Sequence, residues 1–331
     1  MSRAVVLQQH GGPEALQFAE WPVEQPGPGE VLLRHTAIGL NFIDVYQRTG
    51  LYPVRLPSVL GQEAAGVVEQ VGPGVTTLLR GDRVAYAGLM GAYSEERLAP
   101  ASRLVKLPSD ISDEQAAAMM LKGLTAEYLL RRTRPVKRGD TILIHAAAGG
   151  VGLIACQWAK RLGARVLGTV GSEAKATLAR AHGCDEPIVT GATVSGSAGA
   201  AGSFADRVRE LTQGHGVAVV YDSIGKDSWA QSLDCLSPRG MLVLFGQSSG
   251  KVPPFDLGLL GSKGSLFVTR PSLAHYIATR EELEESSSAL FEVVRAGVKV
   301  QVNQRYPLAE AARAHADLEA RKTTGSTVLT L

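Results

Sequence analysis

From the start of the chain to about residue 110, apolar residues come in short runs broken by glycine and proline. Residues 31–35, 65–71 and 83–86 read as strands, with Gly27-Pro28-Gly29, Gly72-Pro73-Gly74 and Gly81-Asp82 as turn signals. The pattern predicts a twisted all-β unit, barrel or sandwich. From Asp113 the period changes. Ala116, Ala117, Met120 and Leu121 recur at helical spacing behind an N-cap at Ser112 or Asp113. Strands over residues 141–145, 165–170, 217–221 and 241–245 then alternate with a helix to Leu162 and another near 175–182. Short apolar runs suit strands buried on both faces, and the alternation predicts an α/β domain with a doubly wound parallel sheet. Past Glu281 come a helix, a strand-like stretch over 298–302, a helix over 309–321 and a strand over 326–331. Periodicity leaves open which domain this tail extends. Residues 191–203 are low in complexity and lack large apolar groups, which predicts a flexible surface loop.

Composition narrows the class. A chain of 331 residues has room for two domains at roughly 150 residues each. Hydrophobic residues at 45% and charged residues at 20% match a folded globular protein rather than a disordered one. A formal net charge of +2 gives no general attraction to nucleic acid or to acidic membranes. The first apolar run ends at Gln8-Gln9-His10, too short for a signal segment, and no stretch approaches the ~18 apolar residues of a spanning helix. Three cysteines without paired spacing argue against a disulfide framework and a cysteine-built zinc site. A cytoplasmic location is the expectation.

The strongest chemical signal is Ala146-Ala147-Ala148-Gly149-Gly150-Val151-Gly152, directly behind a predicted strand and ahead of a helix with Ile154, Trp158 and Leu162 on one face. Strand, glycines, helix and strand in that order form the context of a dinucleotide site. Gly149 and Gly150 let the backbone approach a pyrophosphate, Gly152 lets helix pack close to strand, and the helix start presents N–H groups to the phosphates. At the end of the next strand, NAD sites place an acid for the ribose hydroxyl. Here Gly171-Ser172 follows Val170, so a small residue leaves room for a 2′-phosphate that Ser172 and Lys175 can bind, and NADPH is favoured. Glu173 counts slightly the other way.

Two other chemistries fail on context. Gly246-Gln247-Ser248-Ser249-Gly250 matches the nucleophile elbow of hydrolases, but Pro253-Pro254 opposes the helix which that elbow must enter. The seven histidines are scattered, with no pair at metal-ligand spacing, and His145 reads as a satisfied buried imidazole.

Ordered blocks along essentially the whole chain resemble one family. They are Asn41-Phe42-Ile43-Asp44-Val45-Tyr46, Gly50-Leu51-Tyr52-Pro53, Leu60-Gly61-Gln62-Glu63-Ala64-Ala65-Gly66 and Leu121-Lys122-Gly123-Leu124-Thr125. The loop from His145 to Gly152, Val220-Tyr221-Asp222-Ser223-Ile224-Gly225 and Gly264-Ser265-Leu266-Phe267-Val268-Thr269-Arg270-Pro271 continue them. Together they are similar to the zinc-free quinone oxidoreductases of the medium-chain dehydrogenase/reductase superfamily. The resemblance implies a GroES-like catalytic domain over residues 1–125 and 266–331 and a Rossmann NADPH-binding domain over 126–265. It also implies a dimer or tetramer built on the Rossmann sheet edge, a homodimer at least, with residues 266–269 as the candidate pairing strand. Zinc alcohol dehydrogenases of the superfamily carry a cysteine near position 41 and a Gly-His-Glu stretch. Asn41 and Gly61-Gln62-Glu63 stand here instead, so no metal is expected.

The resemblance also implies roles for residues. Asn41 would lie near the nicotinamide ribose or the substrate, and Thr125 beside the nicotinamide. Gly149, Gly150 and Val151 would hold the pyrophosphate, while Ser172, Lys175 and Arg321 would clamp the 2′-phosphate. Ser223, Phe245, Gly246 and Ser248 would line loops over the dinucleotide, and the backbone of Phe267 and Val268 would meet the carboxamide. Tyr46 and Tyr52 are expected in the substrate cleft, where their rings stack on a planar quinone. One departure stands out: close members of the family place a tyrosine after the third Rossmann strand, where this chain has Ile188-Val189-Thr190-Gly191. A smaller margin of NADPH over NADH follows. The activity implied is zinc-independent, NADPH-dependent reduction of quinones. Its rivals are an NADPH-dependent enone or 2-alkenal reductase, with Tyr46 or Tyr52 delivering a proton, and a non-catalytic, NADPH-regulated role such as the crystallin and RNA-binding roles of the zeta-crystallin branch. Near-neutral charge and the lack of an aromatic-basic patch count against nucleic acid.

Overall fold

The alternation after residue 140 builds a six-stranded sheet in which every neighbouring pair is parallel. The structure, a computed structural model, describes residues 1–190 and 203–331, so the loop predicted at 191–203 lies, apart from Ser203, outside the described residues. Across the sheet the strands are Glu186–Val189, Arg165–Val170, Thr141–Ile144, Val217–Asp222, Leu236–Leu244 and Phe267–Thr269. In chain order that is 3-2-1-4-5-6, the Rossmann order, whose reversal beside the first strand opens a crevice at the strands' carboxyl ends. The helices Gly150–Arg161, Glu173–Ala181, Phe204–Leu211 and Trp229–Asp234 follow successive strands. Leu143, Leu167, Val220 and Leu242 form the core under them, and burying each such side chain contributes about 1.5–3 kcal/mol.

This unit comprises Thr125–Tyr276 and Glu292–Lys299. The chain returns to the first unit at Ile277, not at about 266 as expected. Phe267–Thr269 pairs in parallel with Met241, Leu242 and Val243, and the Tyr276 ring stacks on Tyr128 at 4.5 Å, which keeps the intervening residues with the Rossmann sheet. The strand-like stretch at 298–302 also differs, since the strand begins only at Val302 and runs to Pro307. The backbone N–H and carbonyl of Lys299 are taken by the Gln157 side chain at 2.8 and 3.0 Å, so they are not offered to a sheet.

The first unit holds Met1–Leu124, Ile277–Phe291 and Val300–Leu331, so both ends of the chain contribute. Its larger sheet runs Val302–Pro307, Ser326–Thr330, Glu30–Leu40, Glu63–Val71, Arg83–Ala87 and Val105–Lys106, with Glu96–Pro100 also on Glu30–Leu40. A second sheet joins Leu16–Trp21, Ser2–Leu7 and Ser58–Val59. The last strand pairs antiparallel with Ile38, Gly39 and Leu40, so the C-terminal segment braces the strand that delivers Asn41. Leu7, Leu33, Ile38, Tyr86, Tyr93 and Leu329 share the core between these elements.

Candidate active site

In the first unit the strand Glu30–Leu40 stops at Asn41, whose extended backbone caps the helix Phe42–Arg48. The Asn41 N–H donates to Asp44 Oδ2 at 2.9 Å, and the same oxygen accepts from the Tyr93 hydroxyl at 2.9 Å. Burial pushes the Asp44 carboxyl up to about 7. Behind Tyr93, His315 Nε2 lies 3.0 Å from the phenol oxygen, and His315 Nδ1 faces Arg48 Nη1 at 3.3 Å. A guanidinium can only donate, so Nδ1 accepts and Nε2 carries the proton. Burial holds this imidazole neutral, lowering its pKa to about 3. A one-way line of donors thus runs from Arg48 through His315 and Tyr93 to Asp44, and fixes the cap at Asn41.

The Asn41 side chain meets a second buried group. Its Nδ2 donates to Glu63 Oε2 at 2.8 Å, and Lys122 Nζ donates to the same oxygen at 2.8 Å. Glu63 Oε1 accepts from the Leu121 N–H at 2.7 Å. Along the helix, Tyr46 is buried, and its ring stands edge-on to Tyr52 at 5.2 Å and beside Phe42 at 5.5 Å. Asn41, Tyr46 and Tyr52 are therefore held by one short helix and the turn after it, where the Tyr52 N–H donates to the Tyr46 carbonyl at 2.9 Å. Among the described residues, no group of three His, Cys, Asp or Glu is arranged to hold a metal ion.

In the second unit the phosphate-loop motif forms the turn it predicts. Ala146 takes a positive φ of 52°, and Gly149 is the extended cap of the helix Gly150–Arg161. The first N–H groups of that helix have no partner within it and are available to an anion. A Cβ on Gly152 would lie 2.4 Å from the Ala146 carbonyl, so only glycine fits there. At the next strand end, Ser172 caps Glu173–Ala181 by accepting from the Lys175 N–H at 3.3 Å, and its hydroxyl proton is left as a donor. A Cβ on Gly171 would meet nothing within 4 Å, which is the open space a 2′-phosphate needs.

Asp222 organises the far side of the crevice. Its Oδ1 accepts from the Ile224 and Gly225 N–H groups at 2.7 and 3.1 Å, and its Oδ2 from Ser232 Oγ at 2.9 Å. Ser232 Oγ is 2.9 Å from His145 Nε2, and His145 Nδ1 is 2.8 Å from Thr169 Oγ1. Burial lowers the His145 pKa, so this imidazole is the satisfied buried group its position suggested. The Ser248 N–H donates to the Ser223 carbonyl at 3.1 Å, and a Cβ on Gly246 would fall 2.7 Å from that carbonyl. Ser223, Phe245, Gly246 and Ser248 thus form two interlocked loops without the helix a nucleophile elbow requires. Beside them a cavity of about 280 Å³ is lined by Gly246, Gln247, Lys251 and Arg270. Phe267 and Val268 stand on the adjoining edge strand, opposite Met241 and Leu242.

The expected residues therefore assemble as two sets. Asn41, Tyr46, Tyr52 and Arg321 belong to the first unit; Thr125, the phosphate loop, Ser172, Lys175, Ser223, Phe245, Gly246, Ser248, Phe267 and Val268 belong to the second. Sequence reasoning assigned no role to Glu63, Lys122 or Asp222. A lone lysine inside the apolar run from Ala116 to Leu124, and a carboxylate closing an apolar strand, were the signals available.

Comparison with known proteins supplies the family. Residues 27–109 match the alcohol dehydrogenase GroES-like domain and residues 150–291 the zinc-binding dehydrogenase family. The chain is 54% identical to a quinone oxidoreductase of Pseudomonas aeruginosa over 99% of both chains. It is 50% identical to a 2-haloacrylate reductase of a Burkholderia species, again over 99% of both. The crystal structure of Escherichia coli quinone oxidoreductase complexed with NADPH superimposes with a TM-score of 0.94 at 50% identity, covering 99% of this chain and 100% of that one. With the Rossmann strand order, the match of residues 27–109 to the GroES-like domain and full-length identity above half, this chain belongs to the quinone oxidoreductases of the medium-chain dehydrogenase/reductase superfamily.

Proposed function

We propose that this protein is an NADPH-dependent quinone reductase. The likeness to the NADPH-complexed Escherichia coli quinone oxidoreductase, at 50% identity over nearly the whole of both chains, carries the reading. The residues fit the cofactor: a glycine cradle at 149–152, unoccupied room at Gly171, and donors at Ser172 and Lys175. Arg321 completes the clamp on the 2′-phosphate, Gly149, Gly150 and Val151 hold the pyrophosphate, and Thr125, Phe267 and Val268 hold the nicotinamide. NADPH supplies the reducing equivalents. Asn41 orients the reacting ring, while Tyr46 and Tyr52 hold a planar acceptor against it and exclude water. The protein works in the cytoplasm as a homodimer joined at Phe267–Thr269, an edge strand whose Phe267 is 55% exposed.

Steady-state oxidation of NADPH and NADH with 1,4-benzoquinone, 1,2-naphthoquinone and 2-hexenal tests this. Turnover of NADPH with both quinones and little with the alkenal is expected. Lys175→Ala with Arg321→Ala should raise the KM for NADPH about ten- to a hundredfold and leave that for NADH nearly unchanged. Preferential turnover of the alkenal would favour a second reading, reduction of an activated carbon–carbon double bond, which the 50% identity to a 2-haloacrylate reductase supports.

A further inference from the structure

We propose that Glu63 and Lys122 position the Asn41 carboxamide, selecting one of its two flips. The idea rests on the reading above, in which Asn41 faces the reacting ring. Glu63 is fully buried and Lys122 is 5% exposed. A buried ion pair of this kind roughly breaks even against apolar residues of the same size, so packing energy does not account for it. Geometry does. The outer torsion of an asparagine is broad and nearly two-fold, and oxygen and nitrogen exchange places with little steric cost. An ionised carboxylate has no proton to give, so it accepts Nδ2 and rejects Oδ1. With Nδ2 held 2.8 Å from Glu63 Oε2, the carbonyl end is fixed on the opposite side.

The rest of the site maintains Glu63 in that role. Lys122 brings the compensating charge to Oε2, and the Leu121 N–H holds Oε1, so both carboxylate oxygens are anchored. Gly39 makes the room: a Cβ there would fall 2.3 Å from Glu63 Oε2 and 2.2 Å from the Ala117 carbonyl. A glutamine at position 63 offers oxygen and nitrogen alike, and loses the discrimination. The Lys122 ammonium takes up the charge of the carboxylate from within the chain.

The sequence contains only two asparagines, Asn41 and Asn303, which makes a direct test possible. Protein labelled with amide-¹⁵N asparagine gives two side-chain NH₂ pairs, and Asn41→Ala assigns them. Asn303, bonded to Thr324 Oγ1 near the surface, is the internal control. The Asn41 pair should exchange with D₂O at least about tenfold more slowly than that of Asn303. Glu63→Gln, and the charge-neutral Glu63→Gln/Lys122→Met that removes both ions together, should abolish that protection without moving Asn303. The same variants should lower kcat by at least about twofold, the loss when both flips are equally populated, while the Kd for NADPH stays within about threefold. Adding Glu63→Gln to Asn41→Ala should lose nothing further, because Glu63 acts through Asn41. An Asn41 pair indifferent to Glu63→Gln, or losses in kcat that multiply, would overturn the proposal. A wild-type protein that turns over no quinone, yet shows the Glu63-dependent protection, would support the positioning and overturn the functional reading.

Discussion

Buried histidines set much of the acid response expected of this chain. His35 sits with Nδ1 2.6 Å from the Ser94 carbonyl and Nε2 3.0 Å from the Tyr86 hydroxyl, and burial pushes its pKa down to about 3. His315 is lowered to about 3 by the same cause, and His145 is lowered as well. Unfolding returns each imidazole to its ordinary value of 6.5. Between pH 3 and 6.5 the unfolded chain therefore binds more protons, and stability present at neutral pH is lost as pH falls, by up to about 1.4 kcal/mol per pH unit for each group. Asp44 opposes this. Its carboxyl, raised from 3.8 to about 7, holds a proton in the folded state that the unfolded state releases, so its contribution grows on acidification through that range. Three imidazoles against one carboxyl give a net loss. His35→Gln removes one titrating group and should flatten the fall in Tm between pH 7 and pH 5. An unchanged slope would contradict the assignment.

At the scale of elements, the turn into the helix Gly150–Arg161 is the most exacting feature. Gly152→Ala places a methyl 2.4 Å from the Ala146 carbonyl and 2.8 Å from the Ala147 backbone, and neither yields without opening the loop. The expected cost is about 1–3 kcal/mol, with weaker binding of NADPH. Gly149→Ala meets the Ala146 carbonyl only at 3.2 Å and should be milder. Thermal melts and NADPH titrations of the two variants check the order. This turn was legible in the sequence because its glycines are local to one strand and one helix, and the buried strand Val217–Asp222 was legible from the apolar run over 217–221. Other elements were not. Glu30–Leu40 is twice the length of its readable part, because His35 and Thr36 interrupt the apolar pattern while their polar atoms are bonded to Ser94, Tyr86 and Asp113. Leu236–Leu244 runs after buried Leu236 through Ser237, Pro238 and Arg239, partly or fully exposed residues that carry no strand signal. In the site, the glycine cradle and Asn41 stand out as motifs, whereas Glu63 and Lys122 are 59 residues apart and His145 and Ser232 are 87 apart. Only the folded sheets bring such partners together, and no local pattern announces them.

Taken whole, the molecule keeps its thiols out of reach. Cys156, Cys184 and Cys235 are free, buried and the only cysteines in the sequence. A hydrogen bond with Cys184 and burial hold the Cys156 thiol well above its ordinary pKa, and burial raises that of Cys235. The thiolate is the nucleophilic form, so both groups are inert on two counts, access and ionisation. A thiol reagent at neutral pH should leave the folded protein unlabelled and titrate three groups per chain in denaturant; rapid labelling of the folded chain would contradict this. The arrangement matters for a protein proposed to take up quinones, which alkylate thiolates by conjugate addition. Such a catalyst works in a bath of its own potential poison. With every thiol buried, the acceptor finds no side-chain thiolate to arylate while the fold holds, and the working life of the protein is set by how often it opens, not by how reactive its substrate is.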